Sequence, residues 1–500
     1  MPAVPASCDA FATTPPATCT ADGEAFRGAL ADALATADAA ARDTALAALE
    51  PCAALPPGAV RALRAEVAPT ECGDALVQGV LAAPPARLRD DVRSVLEGLG
   101  LAARLARLVR EPPRLAPPFD KQRFRAFFEE RLAPWVAAQA GAIYELSSAG
   151  ARLGGYGKGI VAVEAGLADL RFVEEVRNVP LPVEITKDRE LADVYFGALD
   201  EALDPRKDRG RDAALAGLRL LASAGVIRDA RVDRARSLLS KLYGGRRIDR
   251  LDALALPPLG PVDTTTPDRR LATLLPTFYA GLTFAATSPP DAPLLRALLE
   301  RGVPPELARQ LDASALPEAT RRLWARAHVE MGRTYWRSRD FARAAELAQL
   351  GAAGSGAAAD DATLLSALAQ ALAKGPADAV EMMAKGPMLP AALGDVTALD
   401  ALAKRRSPLS GIAAYDAAFL LELAPPEAPD AGYWEGVAER YEQAAKLLRA
   451  DATLSRRALD RATAARSTAR ALGAPGAGAP RPAPPKPPGP STGAPASPRP

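Results

Sequence analysis

Residues 327–347 read Ala-His-Val-Glu-Met-Gly-Arg-Thr-Tyr-Trp-Arg-Ser-Arg-Asp-Phe-Ala-Arg-Ala-Ala-Glu-Leu. With His328 as the first large position, Met331, Gly332 and Tyr335 follow as a large-small-large set at helical spacing. Asp340-Phe341 stands where a turn is needed, and Ala344 takes a small position on the helix that follows. A small residue lets a partner helix approach, and the large residues on either side fill the groove beside it. One such hairpin cannot bury its apolar face alone, so several have to stack.

A second copy lies 35 residues on, with Ala362, Ala367 and Ala379 in the places of Ala327, Gly332 and Ala344. Gln370 replaces the aromatic of the first helix. A third, degenerate copy runs over Tyr433–Leu448 and carries Tyr441 and Ala444. This pattern resembles a divergent tetratricopeptide repeat, mainly over residues 320–450, although the family's terminal proline is missing. The resemblance implies an α-solenoid of antiparallel helix pairs with a concave groove that binds a protein partner. The groove-lining positions of such a repeat fall here on Arg326, Val329, Arg333 and Trp336. Two arginines would clamp a partner carboxylate beside a tryptophan platform.

The remaining sequence agrees with an all-α chain. Apolar residues make up 49% of the 500, yet aromatics are only 5%. Much of the apolar share is alanine, the best helix former and too small to fill a sheet core. Segments with alternating β-branched residues are lacking, so helix over more than about 55% of residues, with almost no strand, is expected. A chain of this length exceeds one growing core. Prolines and glycines divide it into a helical cap at 1–115, a helical-hairpin unit at 119–256, a Pro/Thr-rich connector at 257–292 and the repeats at 293–472. A Pro/Ala/Gly tail at 473–500 has no apolar periodicity and is expected to be disordered. Within these units one helix is predicted over 22–49, and two over 188–203 and 211–224 with a turn at Pro205.

All four cysteines, Cys8, Cys19, Cys52 and Cys72, lie in the cap. An even number confined to one small unit points to two disulfides and an oxidising compartment. The sequential pairing, Cys8–Cys19 and Cys52–Cys72, is the expected one. Residues 1–7 lack the charged and apolar regions of a signal peptide. Val4-Pro5-Ala6 nevertheless resembles the end of a cleavage site, as in a mature or mis-started exported chain. Pro5-Ala6-Ser7-Cys8 more weakly resembles a lipoprotein box, and lipidation of Cys8 ranks below a disulfide.

Sixty-two basic and sixty acidic residues are interspersed, leaving a net charge of +2. A nucleic-acid binder concentrates positive charge on one face or tail, so no nucleic-acid partner is expected. Leu271–Pro290, the longest uncharged stretch, is broken by Pro276 and diluted by threonines. It reads as a buried helix, and no integral membrane segment is expected.

Candidate chemistry is sparse. His328 is the single histidine and falls on the packing face of its helix, so hydrolase-type triads have no free base. Gly154-Gly155-Tyr156-Gly157-Lys158-Gly159 lacks both the leading glycine and the trailing hydroxyl of a phosphate loop and reads as an interhelical turn. Glu129-Glu130 and Glu174-Glu175 are adjacent on helices and point apart. The cysteine spacings, with His328 distant, do not form a zinc site. No catalytic, cofactor-binding or metal residue is therefore assigned. The expectation is a non-enzymatic scaffold of the bacterial cell envelope that holds unidentified protein partners. The alternatives are an accessory subunit or helical domain of a cell-wall-processing enzyme, or a cytosolic regulator of the same repeat type with reduced cysteines.

Overall fold

The computed structural model describes residues 3–11, 13–109, 113–117, 120–181, 183–284, 291–310, 316–351, 356–386 and 396–473. The tail expected to be disordered lies outside these residues from 474 onward. Helix takes up 74% of the structure. Among the described residues the one strand-like pairing is an isolated bridge between Val226 and Gly302.

The cap opens with a 3-10 turn at Ala6–Phe11 and continues through α1 (Gly23–Ala35), α2 (Ala39–Ala48), α3 (Ala59–Val67), α4 (Gly73–Ala82) and α5 (Asp90–Leu108). The single helix predicted over 22–49 is divided at Thr36–Asp38. Asp38 caps α2 by accepting a hydrogen bond from the Ala41 amide at 2.8 Å, and an aspartate that can do this favours a helix start over a helix interior.

All four cysteines are bonded, but the sequential pairing does not form. Cys8 joins Cys72 and Cys19 joins Cys52, with Cα atoms 5.2 and 5.0 Å apart. The 3-10 turn carrying Cys8 packs against α2 and against the short turn Thr70–Cys72. The thiol nearest to Cys8 in space is therefore far from it in sequence. Behind the disulfides, Arg64 is buried and holds Asp43 through two hydrogen bonds of 2.8 and 2.7 Å. Burial works against the Arg64 charge, but Asp43 and Glu50 outweigh it and hold the guanidinium above its ordinary value. A buried charge of this kind is tolerated only when paired and hydrogen-bonded.

The hairpin unit comprises α6 (Lys121–Phe127), a π-helical stretch Phe128–Leu132, α7 (Ala133–Gly150), α8 (Gly155–Arg177), α9 (Val183–Lys187), α10 (Arg189–Ser223) and α11 (Ala230–Leu242). α8 is the central rod, packed between α5 and α10. A Cβ on Gly157 would stand 2.1 Å from the Ser94 carbonyl of α5, and one on Gly166 2.4 Å from the Ala214 amide of α10. These glycines are what permit backbone-to-backbone crossings. Where a turn was predicted at Pro205, α10 runs through as 35 residues. The proline sits on an exposed face. The turns beyond it are pinned to α8 by the Arg209–Asp169 pair at 2.7 Å and by the Gly166 crossing, so tertiary contacts override one missing backbone bond.

The connector contributes α12 (Pro267–Leu274) and α13 (Thr277–Phe284). α12 packs on α1 of the cap, where Arg270 pairs with Asp32 at 2.8 Å and Arg27 pairs with Asp268. Leu271–Pro290 is thus two short helices as far as residue 284. No described helix is long and apolar enough to cross a membrane.

There follow α14 (Ala292–Leu299), α15 (Pro305–Gln310), α16 (Glu318–Tyr335), α17 (Ser338–Gln349), α18 (Ala357–Leu372), α19 (Ala379–Lys385), α20 (Val396–Ala403), α21 (Ser410–Leu423), α22 (Ala431–Leu447) and α23 (Ala452–Gly473). From α16 onward successive helices pack pairwise into a stack, except that α19 leans on α10. At the first pair a Cβ on Gly332 would meet the Phe341 ring at 2.8 Å. Met331, Tyr335 and Ala344 are buried beside it. One hydrophobic core runs from Cys8 to Ala465 through cap, hairpin unit, connector and stack. A smaller one joins α5, α7, α8 and α10.

Candidate functional site

α16 ends at Tyr335 because Trp336 adopts a left-handed conformation, φ 56°, which turns the chain sharply into α17. The indole then donates from Nε1 to the Ile248 carbonyl at 2.7 Å. Trp336 is 2% exposed and Val329 0%, so neither is open to a partner. The four positions read as one partner-facing stripe are divided between core and surface. Arg326, Val329 and Arg333 do follow one another at helical spacing, but the edge of the core passes between them. Trp336 lies beyond the helix and points inward. The two arginines remain together and are bridged by Glu330, at 3.3 Å from Arg326 Nε and 2.5 Å from Arg333 Nη2.

What lies over this face is an extended segment, residues 254–265, that crosses from the hairpin unit to α12. Side chains hold its backbone. Asp416 of α21 accepts from the Ala255 amide at 2.8 Å, Arg326 of α16 donates to the Pro257 carbonyl at 3.0 Å, and Arg296 of α14 donates to the Gly260 carbonyl at 3.2 Å. Pro257, Pro258 and Leu259 form a strap with a cavity along it on each side. The first, about 400 Å³, is walled by the strap, Leu323, Leu365 and Leu409, with Arg322 and Asp361 among its polar groups. The second, about 340 Å³, is more polar and lies over Arg296, Glu300 and Glu330. Arg326 borders both.

Electrostatics at this site follow from desolvation. Burial lowers the Arg326 guanidinium, with Glu330 opposing. Burial raises the Asp361 carboxyl, with Arg322 and Arg326 opposing. Asp416 is fully buried and pushed well above the usual carboxylate range, the Ala255 amide and the charges of Arg326 and Arg333 offsetting only part of the cost. Its second oxygen has no hydrogen-bond partner.

The other sequence candidates are occupied structurally. His328 meets Asp340 through Nδ1 at 3.0 Å and lies edge-on to Trp324. In the glycine-rich turn, Ser94 Oγ donates to the Gly154 carbonyl at 2.8 Å and accepts from its amide at 3.1 Å. Glu129 pairs with Arg125 and Glu174 with Lys241. Among the described residues no group of three or more His, Cys, Asp or Glu could hold a metal ion.

One polar cluster had no signature in the sequence. Glu66 of α3, at 3% side-chain exposure, accepts from Tyr156 of α8 at 3.0 Å and from Tyr279 of α13 at 3.4 Å. Arg231 of α11 also donates to it and is tied to Asp229 at 2.9 Å. Its members come from four separate segments, so no local spacing could have exposed it. It fastens cap, hairpin unit and connector together.

The chain is thus a disulfide-stapled stack of helix pairs with a strapped groove on α16. In comparison with known proteins it matches no family model, no curated protein and no solved structure.

Proposed function

We propose that this chain is a non-enzymatic interaction scaffold of the bacterial cell envelope, built on divergent tetratricopeptide-like pairs, that holds protein partners along its helical stack. The observation that carries the reading is the strapped groove on α16. There, side chains from three helices grip an extended backbone, and one largely apolar and one more polar cavity adjoin it. Binding an extended segment through its main chain is a recurrent mode of partner recognition. Two large apolar side chains elsewhere stand exposed, Tyr144 at 66% and Leu350 at 55%. The compartment rests on the two disulfides, which persist in oxidising surroundings.

The test is in-cell photocross-linking from Tyr144 and Leu259, combined with thiol blocking before lysis. Discrete protein adducts in the envelope fraction, with cysteines protected until reduction, are expected. Cysteines blocked before reduction would remove the envelope, and the absence of adducts from both sites would remove the scaffold.

A further inference from the structure

The groove holds its strap with an arginine and an aspartate: Arg326 reads a carbonyl, at Pro257, and Asp416 reads an amide, at Ala255. One helical turn earlier on the same face of α16 stands Arg322, and across the cavity of about 400 Å³ stands Asp361 of α18. This second pair is made like the first but has no backbone in it. Arg322 Nε is buried without a hydrogen-bond partner, and its nearest carboxylate, Glu318, is 4.0 Å away, beyond hydrogen-bond reach. Asp361 accepts no hydrogen bond from any described residue, and burial raises its carboxyl. The buried Arg322 Nε left without a partner costs free energy, and Asp361 is partly buried across the cavity from it; a group offering a carbonyl and an amide together would engage both.

We infer that the Arg322–Asp361 cavity is a binding site for an extended, apolar, proline-containing peptide segment of a partner protein, held by its main chain beside the strap. This rests on the scaffold reading and specifies its partner chemistry. The walls support the choice. Leu323, Leu365, Leu409 and Pro408 face the ligand side, and Pro257 and Pro258 of the strap form the remaining edge. The strap sequence Leu256-Pro257-Pro258-Leu259 shows what the adjoining stretch of groove accepts. Proline suits such a site because its fixed φ keeps the peptide extended before binding. One carbonyl would accept from Arg322 and one amide would donate to Asp361, which leaves recognition dependent on backbone shape and small apolar side chains.

The experiment uses the full chain and a fluorescent, end-blocked peptide copying residues 254–262. Anisotropy titration should give saturable binding, weakened at least about tenfold (a loss of about 1.4 kcal/mol) by Arg322→Ala and by Asp361→Ala. Arg343→Ala, on the exposed side of α17, should leave it unchanged, and thermal melts should show all three variants folded. Absence of saturable binding up to about 1 mM would overturn the inference, as would equal binding by the Arg322 and Asp361 variants. Loss confined to Arg326→Ala would also overturn it, because the peptide would then be replacing the strap. Competition by free leucine at the concentration of the peptide would mean a small-molecule pocket and would overturn it too. Envelope cross-links from Leu259 that survive in the Arg322 and Asp361 variants would sink this site while leaving the scaffold standing.

Discussion

At the scale of single residues, Asp416 is the clearest case of a side chain whose cost is set by its surroundings. It is 0% exposed, and burial holds its folded-state pKa well above the ordinary 3.8. The folded chain therefore binds a proton that the unfolded chain has already released. Stability is greatest at low pH and falls as pH rises from the ordinary value through the raised one. Asp416→Asn removes the ionisation and keeps an oxygen for the Ala255 amide. Thermal melts should show the variant gaining on the parent between pH 4 and pH 8, whereas a constant difference would mean that the carboxyl does not titrate in the fold. Gly157 makes the opposite kind of contribution, through absence of bulk. With Ser94 backbone 2.1 Å from its would-be Cβ, Gly157→Ala should cost about 3 kcal/mol in urea unfolding. Gly79→Ala, on α4 with nothing within 4 Å, should be neutral or stabilise by up to about 1 kcal/mol.

At the scale of elements, the disulfides decide how the cap is assembled. The Cys8–Cys72 bridge spans 64 residues and encloses Cys19–Cys52, which spans 33. Chain-entropy reasoning gives each bridge about 4 kcal/mol, the longer loop exceeding the shorter by about 0.6 kcal/mol. Peptide mapping under non-reducing conditions should recover 8 with 72 and 19 with 52. In denaturant titrations the Cys8→Ser/Cys72→Ser pair should lose slightly more than Cys19→Ser/Cys52→Ser. If the shorter bridge proves the more costly, loop entropy is not what these bonds contribute. Both variants should lower the first unfolding step rather than the last, because the stack from α16 to α23 has its own helix-to-helix contacts.

At the scale of the whole molecule, the cap is a structural member rather than an appendage. Glu66 binds Tyr156 and Tyr279, Tyr156 stacks on Phe278 at 5.3 Å, and α1 rests on α12. Removing residues 1–112 would uncover Tyr156, Ile160, Leu271 and Tyr279, each at most 4% exposed in the intact chain, and would take Glu66 away from Tyr156, Tyr279 and Arg231. The shortened chain should therefore aggregate on size exclusion and bind a hydrophobic dye. A monomeric product with the helix content of the parent segment would show that the cap is dispensable.

The sequence by itself determined the helical class, the small-residue crossing at Gly332 and the burial of Tyr335, Tyr441 and Ala444. These follow from alanine content and helical spacing, which act within a few residues. It also marked the cysteines as bonded, because their number and clustering suffice for that. It could not settle which cysteine meets which, whether Pro205 ends a helix, or which members of the Arg326–Trp336 stripe face outward. Each of those depends on a neighbour far along the chain. The Thr70–Cys72 turn lies against Cys8, α8 lies under α10, and the Ile248 carbonyl waits for the Trp336 indole. The groove itself was invisible for the same reason, since its strap, its arginines and its aspartates belong to five separate segments. Local periodicity encodes which face of a helix is apolar. Only packing decides how far round the helix the core extends, and that boundary is where the site lies.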